Sequence, residues 1–211
     1  MQFDAFVLPF GITKFIGRKG RIMPARHATG GRTAIMAAAR ELFAEHGTYA
    51  ISVDRVATHA GLTKHAVYYH FPDKAALVSA YLEDVTPRSL SIFTRLAGDG
   101  PPGVDRIWTM FANLDRLLDH PTYHGCVMLK ASHSGVEGRA AAAQHRQALQ
   151  TWFQQDLQAS HWTKEAAATG ARALVLILDG ALAESLFMPT REVVEAAVAL
   201  AELSLCQSST S

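Results

Sequence analysis

The side chains with the most definite chemistry lie in residues 52–74, which read SVDRVATHAGLTKHAVYYHFPDK. A short helix beginning at Lys64 would carry basic and aromatic side chains on its outer side, namely Lys64, His65, Tyr68 and Tyr69. An ammonium group donates hydrogen bonds to O6 and N7 of guanine, while a tyrosine binds phosphate through its hydroxyl or packs its ring against a thymine methyl. These residue types indicate a surface that binds double-stranded DNA.

Two short helices joined by a tight turn would position these side chains. An apolar stripe at helical spacing marks the first helix: Val53, Val56, Ala57 and Ala60. Ser52 and Thr63 stand where each helix needs an N-cap, and Gly61 can adopt the left-handed backbone of a helix exit. A short exposed helix braced by another helix one turn away is the geometry of a helix-turn-helix DNA-binding motif.

The polar side chains of this motif are the candidate DNA contacts: Ser52, Arg55, Thr63, Lys64, His65, Tyr68 and Tyr69. Lys64 and His65, at the start of the second helix, are best placed to reach base edges. Ser52 and Thr63 have two compatible uses, capping a helix or donating to phosphate. Surface packing is the alternative for the tyrosines, and we reject it because two adjacent tyrosines on a short helix cannot both point into a core.

Residues 30–82 resemble the DNA-binding domain of the TetR family of transcriptional repressors. The matching residues are Leu42-Phe43-x-x-x-Gly47, Ser52-x-x-x-Val56-Ala57-x-x-Ala60-Gly61-Leu62-Thr63 and Tyr68-Tyr69-His70-Phe71-x-Asp73-Lys74-x-x-Leu77. The resemblance implies that His70 and Lys74 hold the backbone of a DNA operator. It implies an all-α chain of about nine helices with three parts: an extension or flexible arm (1–28), a helix-turn-helix domain (29–75), and a ligand-binding and dimerisation domain (76–211).

The function that the resemblance implies is sequence-specific transcriptional regulation in the cytoplasm. The chain would repress from a palindromic operator until a small-molecule effector releases it. Six residues are candidate linings of the effector pocket, with ordinary core packing as the alternative for each: Trp108, Phe111, Cys126, Met128, Trp152 and Phe153. A homodimer would form through helices at about 163–187 and 190–206, which are rich in alanine; an intrachain bundle is the alternative.

Two rival functions draw on other residues. A thiol- or metal-responsive regulator of the same fold would use Cys126 with the nearby His120, His124 and His133, although their spacing matches no standard ligand pattern. An enzyme is disfavoured, because the sequence contains no nucleophile elbow, H-E-x-x-H motif or phosphate-binding loop. We therefore expect no cofactor and no bound metal.

The bulk properties restrict the partners and the compartment. A net charge of +1 is too balanced for a general polyanion binder, so any DNA contact requires local concentration of positive charge. Two cysteines far apart in sequence indicate a reducing cytoplasm, and we expect no apolar run of the roughly 20 residues that span a membrane. Residues 1–22 are interpreted as an upstream extension or mobile tail, with a basic arm as the alternative. Pro87 is expected to kink or break the fourth helix, or to act as a hinge.

Overall fold

The computed structural model describes residues 28–132 and 135–206, and every regular element within these ranges is an α-helix. The ten helices are α1 (Ala28–Ala50), α2 (Val53–His59), α3 (Lys64–His70), α4 (Lys74–Ala97), α5 (Val104–Ala112), α6 (Asp115–Leu118), α7 (Val127–Ala131), α8 (Gly135–Ala159), α9 (Lys164–Glu184) and α10 (Thr190–Cys206). The all-α fold is confirmed for this part of the chain. It forms two compact units that meet in sequence at Asp84 and Val85, and residues 1–27 of the expected extension lie outside the described ranges.

The core of the first unit is built on α1. Its buried face includes Ile35, Ala39 and Phe43, which follow the helical spacing expected from the sequence. The Phe43 ring meets the Tyr81 ring of α4 edge-on, with 5.2 Å between centroids. Gly47 follows the apolar stripe and predicts the end of this helix; helical geometry is interrupted there, at a φ of 79° that favours glycine, before it resumes to Ala50.

Side-chain caps fix where α2, α3 and α4 begin. Ser52 Oγ accepts a hydrogen bond from the Arg55 backbone N–H at 3.2 Å, and Thr63 Oγ1 accepts one from the Ala66 N–H at 3.2 Å. The Asp73 carboxylate accepts from the Ala76 N–H at 2.7 Å. Each bond satisfies a donor that the first turn of a helix leaves free. The caps predicted at Ser52 and Thr63 are therefore confirmed, and they fix the residues at which α2 and α3 begin.

Two sequence expectations about helix ends in the second unit are wrong. Apolar residues at helical spacing, from Ile107 to Leu118, predict one helix over 104–119, but α5 ends at Ala112 and α6 begins at Asp115. At this break the Asn113 side-chain amide donates to the Leu96 carbonyl at 2.9 Å. Pro87 was expected to kink or break α4; a break is wrong, because α4 continues to Ala97 with Pro87 inside it.

The start of α5 is capped by side chains of another helix. Ser160, just beyond the end of α8, accepts a hydrogen bond from the Val104 N–H at 2.9 Å. Asp156 of α8 is buried and pairs with Arg106, the Nε–Oδ2 distance being 3.2 Å. Burial raises the pKa of Asp156, while Arg106 and the Gly103 N–H oppose that rise. This polar contact fastens α5 to α8 inside the second unit.

Among the described residues, α9 is the one helix long and apolar enough to cross a membrane by length and composition. The expectation of no such run therefore needs correction. Eight residues of α9 are buried within the second unit, from Ala167 to Leu182. Its Asp179 also pairs with Arg146 of α8. Core packing thus accounts for the apolar residues on the buried face of α9, and a helix of a protein core can pass the same composition test as a membrane span.

Candidate nucleic-acid interface

The outer face of α3 carries the two tyrosines. The residue surfaces are 41% exposed for Tyr68 and 76% exposed for Tyr69. On the opposite side, Val67 and Phe71 are 1% and 3% exposed and anchor the helix in the core of the first unit. The predicted outward orientation of both tyrosines is confirmed, and it leaves two hydroxyls and two ring faces available to a partner.

The first residue of α3 forms an ion pair with the first turn of α2. Lys64 Nζ donates to Asp54 Oδ2 at 2.8 Å, and the side chains are 51% and 62% exposed respectively. The hydrogen bond and the charge of Asp54 raise the pKa of Lys64. The ammonium is therefore held charged at the N-terminus of α3, with a carboxylate beside it.

Two of the remaining basic candidates, Arg55 and Lys74, have defined partners in the same unit. Arg55 Nη2 donates to His46 Nε2 at 3.0 Å. Lys74 Nζ donates to the backbone carbonyl of Tyr49 at 3.0 Å. Because a carbonyl carries no net charge, this bond does not neutralise the Lys74 ammonium. His65 is exposed on the first turn of α3. These contacts orient the basic side chains around α2 and α3.

His70 ends α3 and is half-buried. Its ring meets the Tyr69 ring edge-on, with 5.1 Å between centroids. It also lies against α1, because a Cβ atom added at Gly31 would come within 2.8 Å of His70 Nε2. The Arg32 guanidinium of α1 lies over the Phe71 ring at 5.1 Å. The beginning of α1 and the end of α3 therefore position each other.

Three residues of this surface were not singled out from the sequence. Asp54 holds Lys64, Gly31 makes room for His70, and Tyr49, the second-last residue of α1, is 94% exposed. A sequence signal exists for Tyr49, since it follows the helix-ending Gly47 and falls on no apolar stripe. The contacts of Asp54 and Gly31 join separate helices, so no local pattern announces them.

The expected effector-pocket residues fall into separate places in the second unit. Phe111 and Phe153 are buried and stacked, with centroids 6.1 Å apart, and Trp152 meets Phe153 edge-on at 5.0 Å. Trp108 faces outward and its indole N–H donates to Glu202 of α10 at 2.8 Å. Met128 is buried on α7 beside Cys126. The structure thus joins Phe111, Trp152 and Phe153 in one aromatic cluster and puts Trp108 at the surface.

The residues around Cys126 give little support to thiol or metal chemistry. Burial raises the pKa of the Cys126 thiol, despite the nearby positive charges of Lys130 and Arg146. A thiol with a raised pKa is a weak nucleophile and a weak metal ligand at neutral pH. Within 28–132 and 135–206, no group of three or more His, Cys, Asp or Glu side chains could hold a metal ion; His133 lies outside these ranges.

An apolar groove of about 570 Å³ runs between α9 and α10. Its walls are mostly aliphatic, and they include Leu176, Ile177, Gly180, Met188, Val193 and Leu200. Leu176 and Leu200 are 64% and 52% exposed. Phe187, in the loop between α9 and α10, is 81% exposed. Such a concentration of exposed apolar side chains marks an interaction surface.

Comparison with known proteins gives a family match for the N-terminal helices and a fold match for most of the chain. Residues 35–81, which span most of α1, α2, α3 and the start of α4, match the family model described as bacterial regulatory proteins, tetR family. A TetR-family transcriptional regulator from Streptomyces coelicolor is similar over 86% of this chain and 97% of its own, at 22% identity and a TM-score of 0.76. A TetR transcriptional regulator from Legionella pneumophila is similar over 82% and 96%, at 17% identity and 0.69. For reduced E. coli NemR the values are 82% and 95%, 21% and 0.70. At these identities the structures establish a shared fold.

Proposed function

Because its helix-turn-helix domain belongs to the tetR family of bacterial regulatory proteins, we propose that this chain is a sequence-specific transcriptional repressor. The observation that carries the proposal is the outer face of α3, where Lys64, Tyr68 and Tyr69 are exposed above buried Val67 and Phe71. A helix anchored from behind and polar in front can enter the major groove of DNA. We assign the protein to the cytoplasm and assign it no enzymatic reaction.

The individual DNA contacts follow from the position of each side chain. Lys64 and His65 would reach base edges from the N-terminal turn of α3. Tyr68 and Tyr69 would contact phosphates or thymine methyls, and His70 and Lys74 would hold the backbone. Four further side chains complete the proposed surface: Tyr49 near the end of α1, Ser52 and Arg55 at the start of α2, and Thr63 before α3. The caps at Ser52 and Thr63 use the hydroxyl oxygens as acceptors, so both hydroxyl protons remain free to donate to phosphate.

A homodimer through the groove between α9 and α10 would provide the second half of the DNA site. The exposed Leu176, Leu200 and Phe187 support this, since a second copy would cover them by two-fold symmetry. A stable dimer would need to bury about 1,500 Å² in total. Two recognition helices related by such an axis read a palindrome with half-sites roughly 34 Å apart or somewhat more.

Release by a small-molecule effector is the proposed control. The effector would bind in the second unit, and the aromatic cluster of Phe111, Trp152 and Phe153 is its candidate wall. Such control requires the effector to bind the conformer with low DNA affinity more tightly than the DNA-binding conformer, by about 1–3 kcal/mol. A thiol-responsive variant of this mechanism is less well supported, because burial raises the pKa of Cys126. Under effector control, Cys126→Ser leaves the inducer response unchanged.

A footprint on the DNA upstream of the protein's own gene tests the central proposal. We expect protection of a palindromic segment at protein concentrations that leave unrelated DNA unprotected. Addition of the purified protein to an in vitro transcription reaction from that promoter should then reduce the transcript. A protein that protects every sequence equally would contradict sequence-specific recognition, and increased transcript would replace repression by activation.

Tyr69→Ala tests the assignment of α3 as the recognition helix. Because Tyr69 is largely exposed, its loss removes a DNA contact without opening the core. We expect operator affinity to fall about tenfold, with an unchanged unfolding midpoint. Tyr69→Phe is the matched control that keeps the ring and removes the hydroxyl, so it separates phosphate binding from ring packing. Full operator affinity in Tyr69→Ala would rule out this role.

A further inference from the structure

The ion pair between Asp54 and Lys64 joins the two helices of the DNA-binding motif at its exposed surface. Asp54 lies in the first turn of α2, where the free backbone N–H groups favour a carboxylate. Lys64 is the first residue of α3. Their 2.8 Å contact therefore puts a negative charge beside the proposed base-reading lysine. A carboxylate on this surface would normally weaken binding to a polyanion, so its presence requires a reason.

The geometry of an ammonium group supplies that reason. Lysine has three N–H donors, and the contact with Asp54 Oδ2 occupies one of them. Two donors remain, which equals the number of acceptors, O6 and N7, that guanine presents in the major groove. The pair as a whole has no net charge, so it gains little from proximity to phosphate alone. It can still donate hydrogen bonds to a base edge.

We propose that Asp54 is a specificity-determining residue, which cancels the charge of Lys64 towards phosphate and keeps its ammonium directed for a guanine edge. This inference rests on the proposed DNA-binding function. Sequence-independent affinity comes from cations that neutralise phosphates and release counterions. Removing one cation from that attraction lowers binding to random DNA, while the hydrogen bonds to the correct base are kept. The operator is thereby favoured over the large excess of other sequence.

The contribution of Asp54 is separate from fold stability. Both partners are more than half exposed, and exposed ion pairs add little to the free energy of unfolding. Asp54→Asn keeps the shape of the side chain and retains an acceptor at the start of α2. We therefore expect the variant to fold with an unchanged unfolding midpoint. A purely structural role of the pair would not predict a change in DNA binding at unchanged stability.

The test measures the affinity of the full chain for a random-sequence duplex across about 50–200 mM salt, the range in which counterion release is evident. Wild type is compared with Asp54→Asn, Lys64→Gln and the double variant. Asp54→Asn should bind random DNA more tightly, with a log–log salt slope steeper by about 1. The double variant, which restores the wild-type net charge, should return to the wild-type slope. Asp99→Asn, in the exposed loop before α5, removes the same charge elsewhere and should leave the slope unchanged.

A second measurement compares the operator with random DNA for the same proteins. Asp54→Asn should lower the ratio of operator to random affinity severalfold, and the double variant should lower it through loss of the Lys64 contact. An Asp54→Asn slope equal to that of wild type on random DNA would overturn the inference. If the proposed function itself is wrong, wild type will prefer no promoter sequence over random DNA. The salt slopes on random DNA will still report the charge of Lys64, so the two failures are distinguishable.

Discussion

At the scale of single residues, the second unit contains a polar group that its fold keeps neutral. His145 of α8 is buried, and its Nδ1 lies 3.2 Å from Thr86 Oγ1. Burial, together with the charge of Arg146, lowers the pKa of His145 from its ordinary 6.5 to about 4. The folded protein therefore carries a neutral imidazole at pH values where the unfolded chain would bind a proton.

This difference predicts how stability depends on pH. Between about pH 6.5 and pH 4 the unfolded state binds more protons at His145 than the folded state does, so the free energy of unfolding falls as the pH falls. The loss attributable to this residue approaches about 3 kcal/mol at the acid end. In urea unfolding across this range, the free energy of unfolding of wild type should fall by about 3 kcal/mol relative to that of His145→Gln.

The exposed His124 provides the control for that measurement. His124→Gln removes an imidazole from the same unit without removing a buried one, and its curve should run parallel to that of wild type. If His145→Gln also ran parallel to wild type, the imidazole would titrate alike in both states. The assignment of His145 as a neutral, buried imidazole would then be wrong.

At the scale of helices, the second unit depends on a cap supplied from a distance. The α5 start has no side-chain cap of its own at Gly103, and Ser160 supplies the acceptor from beyond the end of α8. A Cβ at Gly103 would lie 3.1 Å from Ser160 Oγ, so the close approach uses the absence of a side chain there. The junction of α5 and α8 is thus one polar unit.

Ser160→Ala tests the importance of this cap. Loss of an N-cap acceptor costs about 1 kcal/mol in the free energy of unfolding. Denaturant unfolding should show that loss without any change in DNA affinity, because Ser160 belongs to the second unit. Thr151→Ala is the matched control, since its hydroxyl donates to a carbonyl on the exposed side of the same helix. Equal stability of the two variants would show that the cap contributes nothing.

Helices were predictable from the sequence wherever their ends are determined by neighbouring residues. The bounds of α3 and α10 agree with those expected, and caps such as Ser52 and Thr63 were evident from residue type alone. The break between α5 and α6 was missed, because it accompanies a hydrogen bond from Asn113 to a distant carbonyl. A break at Pro87 does not occur, since α4 continues through it to Ala97.

The candidate site divides in the same way. The exposure of Tyr68 and Tyr69 follows from the spacing of buried Val67 and Phe71 on one short helix. The partnership of Lys64 with Asp54 requires the angle between two helices, which residue spacing does not specify. The lining of an effector pocket was the least predictable, because aromatic residues at helical spacing serve equally as core, as Phe111 does, or as surface, as Trp108 does.

At the scale of the whole molecule, the proposed dimer makes DNA binding depend on α9 and α10. Leu176→Arg introduces a charge at an exposed position of the groove wall. We expect the variant to be monomeric in sedimentation at concentrations where wild type is dimeric, because a charged side chain at a mostly apolar interface must be desolvated. Operator affinity should fall with it, as each monomer would contact one half-site.

Val136→Arg is the matched control for this dimer test. Val136 is an equally exposed aliphatic residue on α8 and does not line the groove. That variant should remain dimeric and bind the operator like wild type. A monomeric wild-type protein, or a Leu176→Arg variant that still sediments as a dimer, would exclude the groove as the dimerisation surface.

The contact between Gly31 and His70 has a consequence for how this sequence can vary through descent. A methyl group at position 31 would collide with the imidazole, whereas one at the adjacent Gly30 would meet nothing within 4 Å. Neighbouring glycines are therefore under unequal constraint. An alanine is accommodated at position 30 as the structure stands, while at position 31 it requires the His70 ring to move or residue 70 to change.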